Sequence, residues 1–199
     1  MQALSQEHVD MAHRLDEVVL LTDDGRPAGT APRATVHDTG TPLHLAFSCY
    51  ILDGDGRVLL TRRSLGKRTW PGVWTNSFCG HPRPGEPVGE AVHRYARHEL
   101  GLAIGEATCL LPSFRYRAVD ASGVMENEIC PVYAARADGP IAANPEEVMD
   151  HRWARAEDVE QAVRSAPWAL SPWMVEQVHR LSDPGLGTFP TVHEALGGS

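Results

Sequence analysis

The sequence predicts one α/β (α+β) domain in which a mixed β-sheet is sandwiched by helices. Three observations carry that expectation. Short apolar and β-branched runs come first and return after one long helical stripe, and terminal helices follow; strict strand–helix alternation is absent. The chain has 199 residues, enough for one core of ordinary size without disulfide staples. No stretch approaches the roughly 18 consecutive apolar residues of a membrane-crossing helix.

The elements follow in order. Residues 1–16 place Leu4, Val9, Met11 and Leu15 among acids and histidines, which predicts a leader, helical or loose. Val18-Val19-Leu20-Leu21 reads as a strand closed by the turn Thr22-Asp23-Asp24-Gly25. Residues 43–52 are almost continuously apolar, as expected of a strand buried on both faces, and Asp53-Gly54-Asp55-Gly56 turns it into a return strand over 57–62. The segment 64–87 is rich in Gly and Pro and predicts a loop with a short strand near Trp74 to Phe78. Apolar or small residues at 88, 91, 92, 95 and 96 give a helix over 88–100, and Gly101 follows where a left-handed cap would end it. The same stripe reaches Glu99, and a carboxylate on an inward helix face needs a partner. Strand-like runs occupy 107–118 and 126–136, and a shorter one 149–153. Helices are expected near 155–165 and from Ser171-Pro172, an N-cap with proline at the first helical position, through Leu181. The expected boundaries are a leader over 1–16, a catalytic domain over 17–182 and an irregular tail over 183–199.

Charge narrows the partners. Lys and Arg number 18 against 26 Asp and Glu, a net charge of −8, which disfavours a nucleic-acid binder. The cations are nonetheless clustered: Arg57, Arg62, Arg63, Lys67 and Arg68 lie in a stretch with no acid, and beside a glycine-rich turn they suit phosphate oxygens or simply a solvated surface. The first residues lack the basic and apolar regions of a signal peptide, which predicts a cytoplasmic protein with its four cysteines as thiols.

Three further sets could carry chemistry. Cys79-Gly80-His81 offers a thiol and an imidazole two residues apart, either a reactive pair or a small buried cysteine beside a surface histidine. Glu126-Asn127-Glu128 precedes a core-like run; the strand period of two puts both carboxylates on one face, where they bind a cation, share a proton or face solvent at a sheet edge. His37 and His44 complete a set of three imidazoles and two carboxylates, a mixture suited to a divalent transition metal.

Longer strings then become specific. The run from Trp70 to Pro82, Trp-Pro-Gly-Val-Trp-Thr-Asn-Ser-Phe-Cys-Gly-His-Pro, with Phe114-Arg115-Tyr116-Arg117-Ala118, Glu126-Asn127-Glu128-Ile129-Cys130-Pro131-Val132 and Ser171-Pro172-Trp173-Met174, resembles the type I isopentenyl diphosphate isomerases over residues 17–181. The resemblance implies a Nudix fold. In the Nudix pattern G-x5-E-x7-R-E-U-x-E-E-x-G-U, with U apolar, Gly80, Glu86, Arg94, Ala96, Glu99, Gly101 and Leu102 fall in register. Tyr95 and His98 stand where two glutamates would. That departure opposes the alternative of a Nudix pyrophosphohydrolase acting on a nucleoside or prenyl diphosphate. A non-catalytic diphosphate-binding module is opposed by intact Cys79, Glu128 and Tyr116.

Carried over residue by residue, the resemblance implies that Cys79 and Glu128 act as acid and base from opposite faces of an allylic system, with Tyr116 assisting Glu128. It assigns His37, His44, His81, Glu126 and Glu128 to one divalent metal, Mn, Zn or Mg, and Glu99 to a magnesium ion bridging the substrate diphosphate. Arg63 and Lys67 match diphosphate-binding positions, and Arg33 stands where the family commonly has lysine. Trp173 matches the aromatic residue facing a tertiary carbocation. The expected partner is a small prenyl diphosphate, with no nucleic acid or membrane involved and the chain a monomer or weak homodimer.

Overall fold

The computed structural model describes residues 16–182. The leader expected over 1–16, apart from Asp16, and the tail expected over 183–199 lie outside the described residues.

The chain runs through β1 (Glu17–Leu21), β2 (Pro27–Pro32), β3 (His44–Leu45), β4 (Phe47–Leu52), β5 (Val58–Arg63), β6 (Trp74–Thr75) and β7 (Phe78–Gly80) to helix α1 (Val88–Leu100). Strands β8 (Ala103–Ile104), β9 (Thr108–Leu111), β10 (Arg115–Val119), β11 (Met125–Ile129), β12 (Val132–Asp138) and β13 (Val148–Ala154) follow. Helix α2 (Ala156–Ser165), a 3-10 turn at Pro167–Ala169 and helix α3 (Pro172–Leu181) complete it. The strands form two mixed sheets. One has the order β10-β11-β3-β1-β2. The other runs β13-β5-β4-β12-β8, with β6, β7 and β9 paired to β5, β4 and β12.

Strand β4 explains the layers. All six of its residues are buried. Phe47, Cys49 and Ile51 pack towards α1 with Val92, Tyr95 and Leu100, while Tyr50 joins Trp173, Met174 and Val178 of α3 on the opposite face. Each large apolar side chain buried in these layers contributes about 1.5–3 kcal/mol. Helix α1 buries the expected stripe, Ala91, Val92, Tyr95, Ala96 and Glu99, together with Leu100. It ends at Gly101 with φ 59°, where the Gly101 and Leu102 amides donate to the Arg97 and Ala96 carbonyls.

Several continuous sequence runs are divided in space. The run 43–52 breaks at Ala46, so that β3 belongs to one sheet and β4 to the other. The run 126–136 divides in parallel with it at Cys130 and Pro131, the second of which has no amide to extend a ladder. Across this double break the Ala46 amide donates to the Ile129 carbonyl and the Ser48 amide to the Pro131 carbonyl, so the two chains change sheets together. The run 107–118 likewise splits into β9 and β10 around Pro112. Strand β2, Pro-Ala-Gly-Thr-Ala-Pro, has no strand signal of its own; it is mostly exposed and is held by pairing with β1. Ser171 occupies the α3 N-cap position, but its hydroxyl bonds Thr75 Oγ1 at 2.7 Å instead of capping the helix.

Candidate active site

The place where both chains change sheets is where the side chains converge. Glu128 lies in parallel register with His44 on β3 and in antiparallel register with Tyr116 on β10. Its carboxylate consequently faces both. The Tyr116 hydroxyl donates to Glu128 Oε2 at 2.9 Å, while Oε1 stands 3.3 Å from His44 Nε2 and 3.1 Å from His81 Nε2. His44 Nδ1 lies 2.9 Å from the Pro42 carbonyl, which can only accept, so Nδ1 donates there and the ring is held with Nε2 aimed at Glu128 and His81.

His37 closes the group. One ligand atom from each of His37, His44, His81 and Glu128 lies within 4.8 Å of the others. Glu126 Oε2 is 3.0 Å from His37 Nε2, yet neither atom is oriented to bond, and both are buried without a hydrogen-bond partner. Buried polar atoms left unpaired are costly. Two such atoms beside three imidazoles and a second carboxylate suit a divalent cation, so the residues present fit the metal that the fold family implies. Burial alone would push the His37 imidazole down, but the Glu126 and Glu128 carboxylates hold its pKa up at about 9. Burial takes His81 the other way, to about 4 despite Glu128. Burial also opposes charge on Glu128, but bonds from the three histidines bring it well below the usual carboxylate range.

Cys79 sits on β7 in register with Ser48 of β4. Its thiol donates to Asn76 Oδ1 at 3.3 Å and lies 3.3 Å from Ser48 Oγ. The Trp173 indole N–H donates to the same Asn76 oxygen at 3.0 Å, and Asn76 Nδ2 is held by the Cys49 and Phe78 carbonyls. One buried amide therefore orients both the thiol and the indole. Burial pushes the Cys79 thiol up to about 11, so it is protonated at neutral pH.

A cavity of about 390 Å³ joins these groups. Of the residues singled out in the sequence, Cys79, Glu128, Tyr116, Arg33, Arg63, Lys67, Trp173, His37, His81, Glu126 and Glu99 all line it. His44 lies behind the wall with no exposed surface. Arg33 is half-exposed and pairs with Asp16 at 2.8 Å. Arg63 sits 5.4 Å from the Trp173 ring centroid. Glu99 stands apart from the histidines: Lys67 pairs with it at 3.0 Å and also contacts Glu147. Burial raises the Glu99 pKa although Lys67 pulls it down, while Glu147 lies below the usual range because Lys67 outweighs its partial burial.

The helix pattern acts here as a frame. Arg94 grips Glu86 through two bonds of 2.6 and 2.7 Å and donates to the His81 carbonyl at 3.1 Å. Gly80 is required because any Cβ there would stand 2.6 Å from the Tyr95 ring. Sequence reasoning did not single out Ser48, Thr69, Asn76 or Glu147. Asn76 lies within a quoted motif, but Glu147 has no local signal because its side-chain partners, Lys67 and His98, are 80 and 49 residues away in sequence.

Known proteins resemble this chain in sequence and in fold. The NUDIX domain family matches residues 42–174. An isopentenyl-diphosphate Delta-isomerase of Frankia alni is 60% identical over 82% of this chain and 84% of its own. Relatives of the same name from Clavibacter michiganensis and Salmonella arizonae are 56% and 52% identical, over 84% and 81% of this chain and 87% and 89% of theirs. Among solved structures, a Deinococcus radiodurans protein superposes with a TM-score of 0.63 at 19% identity over 82% of this chain and 98% of its own. A MutT protein of Methanosarcina mazei gives 0.53 at 20% over 71% and 96%. These two speak for the fold, and the curated relatives carry it further: the chain belongs to the isopentenyl-diphosphate Delta-isomerase family, built on a NUDIX domain.

Proposed function

We propose that this chain interconverts isopentenyl and dimethylallyl diphosphate, with Cys79 delivering a proton to the alkene and Glu128 removing one from the allylic carbon. The observation that carries this reading is geometric: the Cys79 thiol, bonded to Asn76, and the Glu128 carboxylate, bonded to the Tyr116 hydroxyl, line one cavity. Burial favours the protonated thiol, and the histidine bonds favour the ionised carboxylate. Environments that push two titratable groups apart assign the acid and the base. An alkene is a very weak base, so its protonation needs a positioned donor and a water-excluded site for the resulting tertiary cation. The Trp173 indole is 1% exposed and packs 5.7 Å from the Tyr116 ring, and an indole face stabilises a desolvated cation by about 2 kcal/mol. Tyr116 holds Glu128 through its hydroxyl.

His37, His44, His81, Glu126 and Glu128 would hold one divalent cation, Mn, Zn or Mg, and Glu99 one magnesium ion. Bound there, these ions supply positive charge that keeps Glu128 ionised and offsets the diphosphate. Arg33, Arg63 and Lys67 bind the diphosphate oxygens. Arg33 keeps the charge of a lysine but offers a planar fork in place of a point charge. Tyr95 and His98, one an aromatic ring over Gly80 and the other paired to Glu147 at 3.3 Å, leave the helix short of the carboxylates that pyrophosphate hydrolysis uses. The same reading makes the chain a cytoplasmic monomer or weak homodimer acting on a small prenyl diphosphate.

The test is incubation with isopentenyl diphosphate and magnesium in deuterated water, followed by NMR. Deuterated dimethylallyl diphosphate is expected. Released phosphate would instead support a hydrolase, and unchanged ligand a binding module. Cys79→Ala should lower turnover about 100-fold or more with the fold intact; near-normal activity removes Cys79 from its role.

A further inference from the structure

We propose that Thr69 is a positioning residue, whose hydroxyl sets Glu126 as a metal ligand and ties it to Arg63. The inference rests on the ligand set of the proposed function and adds a residue outside it. Thr69 is buried, 3% exposed, in the loop after β5. Its Oγ1 lies 2.6 Å from Glu126 Oε1 and 3.1 Å from Arg63 NH2. A guanidinium can only donate, so the hydroxyl accepts from Arg63 and its single hydrogen is committed to the carboxylate. The Thr69 carbonyl accepts twice more from Arg63, from Nε at 3.0 Å and NH2 at 2.8 Å.

The consequence lies at the other oxygen of Glu126. With Oε1 taken by Thr69, Oε2 is left buried, without a hydrogen-bond partner and 3.0 Å from His37 Nε2. Thr69 thus decides which oxygen faces the histidines and prevents the carboxylate from rotating away. The loop is itself held: Trp70, at φ 43° in the left-handed region, packs edge-on against Trp173 at 5.4 Å, and its amide lies 3.3 Å from Asp120 Oδ2. A displacement of Arg63 by an anion reaches Glu126 through one hydroxyl.

Thr69→Val keeps the branched shape and removes the hydroxyl, whereas Thr69→Ser keeps the hydroxyl and removes a methyl. The full chain, stripped of metal, is titrated with Zn2+ in competition with a chromophoric chelator, and kcat and KM are measured beside it. Loss of a partner that orients a ligand weakens metal affinity about 10- to 100-fold. Thr69→Val should show at least the lower of these, with kcat falling more than KM rises, and Thr69→Ser should remain within about threefold of the original chain. If Thr69→Val binds Zn2+ like the original chain while His44→Gln does not, the metal site stands and the role of Thr69 is overturned. Equal losses in both Thr69 variants overturn it too, because volume rather than the hydroxyl would then matter. If His44→Gln binds Zn2+ unchanged, the ligand set fails and the inference with it.

Discussion

The histidine–glutamate cluster and the Lys67–Glu99–Glu147 cluster face one cavity and are both acidic, but they balance their charge differently. In the second, Lys67 lies between two carboxylates, 3.0 Å from Glu99 and in contact with Glu147, so each acid has a cation of the chain's own. In the first, no lysine or arginine pairs with either carboxylate among the described residues. Glu128 is surrounded by three imidazoles and a tyrosine hydroxyl, and Glu126 keeps one unpaired buried oxygen. Both clusters bear a desolvation cost, yet the Lys67 ammonium offsets it in one, while the other has imidazoles and an unpaired carboxylate oxygen that fit a divalent cation. A resident charge suits a group that must exchange partners when an anion arrives. Imidazole nitrogens and carboxylate oxygens gathered in one place suit a metal that stays.

The largest expected effect breaks the first cluster. His44→Gln removes the nitrogen aimed by the Pro42 carbonyl and leaves Glu128 Oε1 without one of its neighbours. Losing a direct ligand should exceed the loss of a second partner, so bound divalent metal in the purified chain should fall about 100-fold or more in affinity, read by elemental analysis after dialysis. Chelator treatment should lower the melting temperature of the original chain but not of His44→Gln, because only the former has a metal-bound folded state to lose. Unchanged metal content would sink the contrast between the clusters.

These two clusters were not equally legible in the sequence. The period of two across Glu126-Asn127-Glu128 puts both carboxylates on one face, and the helical stripe of α1 turns Glu99 inward; both are local periodicities that burial enforces. The family resemblance adds roles to Cys79, Tyr116 and Trp173. What local pattern did not carry is pairing across long separations. Glu147 follows an Asn-Pro turn with no periodic signal, and its place beside Lys67 depends on Ser64 donating its amide to the Glu147 carbonyl at 2.9 Å. Thr69 looks like an ordinary loop residue until Glu126, 57 positions away, is brought to its hydroxyl. The strand changes at Ala46 and Pro131 escaped for the same reason: a continuous apolar run reads as one strand, while two packed sheets require it to bend between them. Strand β2 was missed because pairing with β1, not its own composition, makes it extended.

A smaller effect sharpens the second cluster. Lys67→Met keeps the aliphatic stem and removes the charge, leaving Glu99 and Glu147 to repel across the cavity. Diphosphate binding then loses a cation and meets two unbalanced acids. The KM for isopentenyl diphosphate should rise about tenfold, with a smaller change in kcat, and added salt should narrow the difference. A fall confined to kcat would place Lys67 at the reacting carbons instead.

The smallest effect separates the two carboxylates that share Lys67. Burial disfavours the charge on Glu147, but Lys67 outweighs it and lowers the pKa, whereas for Glu99 burial wins and the pKa rises. A carboxylate whose folded pKa lies below its unfolded value of about 4.3 adds stability that is present above that value and is lost as pH falls through the folded one. Glu147→Gln should therefore destabilise the chain at pH 7 by no more than about 1 kcal/mol, since the pair is only partly buried. The difference from the original chain should shrink as pH falls below about 4, read by urea denaturation at each pH. Glu99→Gln should have the opposite sign: with its folded pKa raised, neutralising it relieves a cost that the ionised form bears above the unfolded pKa, so the variant is expected to gain relative stability as pH rises from 4 to 7. Equal slopes for the two variants would mean that Lys67 serves both carboxylates alike, and the distinction between a shared resident cation and an externally completed cluster would have to be drawn at Glu128 alone.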